Sequence, residues 1–191
     1  MNEFKAIEFA GDNPCAVLYG DRGTVVSAIS YWRANASLQG VGEVLFLLQR
    51  SSEHNLVVSV FTDNADLARF AITFNQHFEG FQGVSFDVEI QSATFSTCIG
   101  SESVELECVS AEKTVQVQWK GLTKPYILRS EIIDFGKQVG RSYEVSSVII
   151  SANSASILVN DELQPGRVVD GYGALPKSAF VAFCETWARL A

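Results

Sequence analysis

Two histidines and four cysteines are the whole stock of soft metal ligands in this chain. His54 sits in a Ser-Glu-His-Asn stretch, His77 falls at the end of a predicted helix, and Cys15, Cys98, Cys108 and Cys184 form no C-x-x-C pair. Neither a histidine-rich metal site nor a thioredoxin-like motif can be built from that spacing, so no metal is expected and chelators should leave the fold unchanged. There is no G-x-S-x-G elbow and no P-loop, and Gly171-Tyr172-Gly173 lacks the third glycine and the strand-to-helix context of a dinucleotide fingerprint. No cofactor is expected. Any chemistry has to come from carboxyl, guanidinium and phenol groups.

The best-framed pair of that kind is Arg129 and Glu131, in Pro-Tyr-Ile-Leu-Arg-Ser-Glu-Ile-Ile over 125–133. Strand parity puts both on one face between Ile127 and Ile133, and puts Tyr126, Leu128, Ser130 and Ile132 on the other. In the catalytic reading Arg129 fixes a carboxylate or enolate oxygen and Glu131 moves a proton, since a partly desolvated carboxyl can be tuned toward neutral pH. The competing reading is a solvated face on which the two charges pair across the sheet. A second cluster is Tyr31, Trp32 and Arg33, followed by Glu43. Alternation sends Tyr31 and Arg33 to the face opposite Trp32, offering a phenol and a guanidinium to a ligand. Tyr31, Arg33, Glu43, Trp119 and Tyr126 form the candidate ligand-binding set. The Gly-rich loop over 171–176 is a lid over one end of the sheet or a plain connector.

Most of the elements that must position these residues are strands. β-rich runs at 4–9, 15–19 and 24–33 are separated by Gly-Asp-Asn-Pro and Gly-Asp-Arg-Gly turns. Residues 42–50, GEVLFLLQR, are apolar on both parities, which predicts a strand covered on both faces. Leu67, Phe70, Ala71, Phe74 and Phe78 recur at helical spacing and predict a helix over 63–79, capped by Thr62 or Asp63 and closed by Gly80. From 84 to 159 one-sided alternation predicts antiparallel strands, with a bulge or bend near Gln91–Ser92, where the apolar parity slips. Strands at 125–134 and 143–151 follow, then a hairpin through Asn153 and Ser154 into 155–160, and a turn near Asp161 and Pro165-Gly166. Phe180, Phe183, Cys184, Trp187 and Leu190 make a stripe that predicts a closing helix over 176–190.

These elements make one α+β domain over 1–191. The expectation is a strongly curved, mostly antiparallel sheet or incomplete barrel of about eleven strands, wrapping the two helices or a cavity. A net charge of −8 disfavours nucleic acid and anionic membranes as partners. The first residues read as neither a signal peptide nor a membrane span, and with unpaired cysteines this implies a cytoplasmic protein. Thirteen Phe, five Tyr and three Trp suit a pocket for an apolar or aromatic metabolite. Such a protein binds its ligand or transforms it by metal-free acid-base chemistry, as an isomerase, cyclase or dehydratase does. The alternative is a noncatalytic interaction module, a homodimer whose aromatics are filled core and interface.

Overall fold

The computed structural model describes residues 6–51, 55–132 and 141–190. His54, Ile133 and the end of the strand expected at 125–134 lie outside them. In chain order the strands are β1 (Ile7–Asp12), β2 (Cys15–Tyr19), β3 (Val25–Ser37), β4 (Gly42–Arg50) and β5 (Leu56–Thr62). The helix α1 (Ala65–Asn75) and a short 3-10 turn (Glu79–Phe81) precede β6 (Ile90–Ile99), β7 (Ser103–Ser110), β8 (Thr114–Leu122), β9 (Tyr126–Ile132) and β10 (Tyr143–Val159). The two-residue β11 (Glu162–Leu163), the hairpin β12 (Asp170–Tyr172) and β13 (Leu175–Lys177), and the long β14 (Ala179–Arg189) complete the chain.

Strands β2 to β8, β10 and β14 pair in sequence, and β14 pairs back on β2, so nine strands form a closed ring. All these pairings are antiparallel except β5 with β6. A parallel pair cannot be joined by a tight turn, and α1 with residues 76–89 provides the crossover. β1 continues the line of β2 between β14 and β3, and β9 lies along the first half of β10.

The double-sided apolar pattern of the first half has a direct cause. On β4, Leu45 and Leu47 point into the ring, where they meet Ile29, Leu106, Val117 and Trp119. Val44, Phe46 and Leu48 point outward, where Leu67, Ala71 and Phe74 of α1 cover them. β7 and β8 have no such cover, so only their ring-facing Val104, Leu106, Cys108, Val115, Val117 and Trp119 are buried. The ring is packed with side chains and α1 lies outside it, whereas the sequence suggested a sheet wrapped around the two helices or a cavity.

Three boundaries differ from expectation. α1 starts at Asn64, whose side chain accepts from the Asp66 and Leu67 N–H groups at 3.1 Å each; Asp63 accepts instead from Glu43 N–H at 2.6 Å. The helix stops at Asn75, one turn early, and Gly80 belongs to the 3-10 turn. The Asn153-Ser154 hairpin is absent, because β10 runs through these residues and changes partner from β14 to β8. What resembles a turn is a shared bend: Gly121, opposite Asn153, has φ +64, and the buried parity of β8 and β10 changes together there. The bend expected near Gln91–Ser92 falls where β6 leaves β5 for β7.

The closing helix over 176–190 is the largest correction, since these residues are strands β13 and β14. Cys184 has φ +51, and the register against β10 shifts between Ser146 and Val148. This bulge lets Phe180 and Trp187, seven residues apart, pack on one outer cluster. Seven residues is two helical turns, and it is also an alternating strand with one slipped residue.

Candidate functional site

The bulge in β14 creates the most unusual polar placement among the described residues. Asp12, ion-paired with Arg33, accepts a hydrogen bond from Cys184 N–H at 3.1 Å. That bond holds the bulge and turns Glu185 to the covered outer face of the ring, where it is 7% exposed. The Glu185 carboxyl accepts from Trp187 Nε1–H at 2.7 Å and Asn13 Nδ2–H at 3.3 Å, both at Oε1. Asn13 is placed by the break between β1 and β2, with its own N–H on the Ala182 carbonyl at 2.8 Å. Ser147 stands between Val145 and Ile149 on β10, 2% exposed, with its hydroxyl beside the Glu185 carboxyl. Burial pushes the Glu185 pKa up; Trp187, Asn13 and Ser147 pull it partly back, and the nearby Asp12 charge adds to the rise.

Glu185 borders a pocket of about 240 Å³ on the outside of the ring. Leu128 and Ile132 of β9, Val145 and Ile149 of β10, and Phe180 and Trp187 of β14 wall it. Tyr172 and Leu175 of the β12–β13 hairpin cover one side, with Phe78 and Glu79 beside them. The hairpin is fastened by Gly80 N–H donating to the Tyr172 hydroxyl at 2.9 Å. Cys15 also lines the pocket, but burial pushes its thiol up to about 12, so at neutral pH it is no thiolate nucleophile. Among the described residues no Lys, Arg or His borders this space.

The sequence-predicted residues fall elsewhere. Arg129 and Glu131 are exposed on β9, beside Ile127, which is 65% exposed. The strand is in the pocket wall, but it is the opposite parity, Leu128 and Ile132, that faces the space. Tyr126 shares that inward parity and is half-buried, its hydroxyl without a hydrogen-bond partner. Tyr31 and Glu43 do meet: the phenol donates to the Glu43 carboxylate, and burial, then Glu43, pushes the Tyr31 pKa up. Tyr31 is buried within the ring, whereas Arg33 turns to Asp12. Trp119 is also inside the ring, its indole N–H on the Cys15 carbonyl at 3.0 Å.

Glu185, Asn13 and Ser147 were not singled out by sequence reasoning. One signal was available: Glu185 is the lone charged residue between Lys177 and Arg189, in an otherwise apolar and aromatic run. Among the described residues no cluster of three His, Cys, Asp or Glu is placed to hold a metal ion, and no helix is long and apolar enough to cross a membrane. No known family model matches the chain, and no curated protein is similar to it at a significant level.

Proposed function

We propose that the protein binds a small, mostly apolar molecule in the pocket beside Glu185. The observation that carries this reading is one buried carboxyl in a wall otherwise made largely of aliphatic and aromatic side chains, the usual make-up of a small-molecule site. A cavity of about 150 Å³ accepts benzene; by proportion, this pocket suits a ligand of about ten non-hydrogen atoms, a single ring with a short side chain. Glu185, with its raised pKa, is also the carboxyl best suited to hold or pass a proton, so the acid-base reading rests on it in preference to Arg129 and Glu131.

The test uses the three indole N–H groups as position markers in a ¹H–¹⁵N NMR titration with 2-phenylethanol. Trp187 borders the pocket, whereas Trp119 is inside the ring and Trp32 lies under α1. A saturable shift led by Trp187, and lost when Leu128→Trp fills the wall, supports the reading. A shift led by Trp119, or none at millimolar probe, overturns it.

A further inference from the structure

Resting on that pocket reading, the identity of the polar groups narrows the ligand class. Among the described residues the lining holds two acids, Glu185 at its buried side and Glu79 at its exposed side, and no basic residue. A ligand carboxylate or phosphate would meet like charge with no cation among the described lining residues to neutralise it. Two N–H donors converge on Oε1 of Glu185, and neither reaches Oε2. A buried hydroxyl, Ser147, stands on the same side beside that carboxyl. Both groups can accept from an N–H donor, and a charged donor forms the stronger bond. Four aromatic rings, Phe78, Tyr172, Phe180 and Trp187, border the same space, and ring faces attract a cation most when water is excluded.

We infer that the occupant is a small organic amine, its ammonium group on Glu185 beside Ser147 and its apolar body between Trp187, Phe180 and the Tyr172 hairpin. Glu185 then serves as a counter-ion. Bringing in the cation stabilises the ionised carboxylate, which burial alone disfavours, so the charge is admitted together with its partner. A neutral ligand with a carbonyl would instead use the protonated acid as a donor.

Three probes of nearly equal size separate these cases: 2-phenylethylamine, 2-phenylethanol and 3-phenylpropanoate, titrated calorimetrically at pH 7 into the full chain. The amine should bind at least tenfold more tightly than the alcohol, and the carboxylate should not bind. In Glu185→Gln, the amine should lose tenfold or more while the alcohol stays within threefold. Equal or tighter binding of the alcohol, with the Trp187 shift intact, overturns the amine assignment and leaves the pocket standing. Failure of all three probes overturns both. Should Glu185→Gln not fold, the ranking of the three probes on the parent protein decides the matter by itself.

Discussion

Truncating Phe74 to alanine tests how α1 is attached and, through Trp187, how the pocket wall is backed. Phe74 is completely buried, and its ring centre lies 4.9 Å from that of Trp187, 5.6 Å from that of Tyr143 and 6.3 Å from that of Trp32. Losing a buried ring forfeits about 2 kcal/mol of transfer free energy. A residual void of about 100 Å³ adds about 2.4 kcal/mol at 24 cal/mol per Å³. The expected cost is therefore about 3 to 5 kcal/mol. Phe70, one turn earlier, is half-buried and borders an open surface groove with Asp66, Arg69 and Arg141. The sequence stripe implied an equal burial for both rings. With partial burial and no closed void, Phe70→Ala should cost only about 1 kcal/mol. Urea denaturation of both variants reads these values from the midpoint at unchanged slope. Equal costs for the two substitutions, or a Phe74 cost under about 1 kcal/mol, would refute the assignment of the buried face. Phe74→Ala should also weaken 2-phenylethanol binding, since Trp187 loses its edge-on neighbour.

Three further outcomes are expected. The folded-state pKa of Glu185 lies above its ordinary value of 4.5, so its contribution is most favourable below that value and is lost as pH rises through the folded-state pKa. Glu185→Gln should thus gain melting temperature relative to the parent as pH rises through that window, and parallel profiles would show that the carboxyl is not desolvated. At pH 8 a thiol reagent should label exposed Cys98 and Cys184 in the folded protein and reach Cys15 and Cys108, both pushed up to about 12 by burial, only in urea; prompt modification of all four would contradict the packing. Gly11→Ala would place a Cβ 1.8 Å from the Arg33 carbonyl oxygen, a backbone clash that should cost at least about 3 kcal/mol in denaturant titration; a near-neutral variant would refute the β1–β3 approach.

Periodicity carried the sequence reading where one rule governed a whole element. β4 is apolar on both parities because it has cover on both sides, and β7 and β8 alternate because they have cover on one. α1 was legible from Leu67, Ala71 and Phe74, but its end was not, because Phe78 packs on the same outer cluster after the helix has stopped. Reading failed where tertiary contacts reset the period. The Cys184 bulge depends on Asp12, far away in sequence, and it gave β14 a helix-like spacing. The Asn153 bend depends on Gly121 across the ladder. β9 was recognised as a strand, but choosing the face it turns to the pocket required knowing that the hairpin at 170–177 and β14 lie against Leu128 and Ile132. Glu185 was hidden by the same bulge, since on a helix its side chain lies off the apolar stripe and has no reason to be buried.

Closure of the ring by β14 sets an order on folding. This strand supplies the link between β2 and β10, and its beginning is tied to β2 by Ser178 Oγ–H donating to the Val17 carbonyl at 2.7 Å, between residues 161 positions apart. Until that segment docks, β2 and β10 each present an unsatisfied edge, open to pairing with another chain. Contacts spanning so much of the sequence form late, after the loop entropy between them has been overcome. Refolding should therefore be slow and concentration-sensitive, with the backbone amides of β14 the last to gain protection in pulsed hydrogen exchange. Because β14 also carries Glu185 and Trp187, the pocket they border is assembled in that final step.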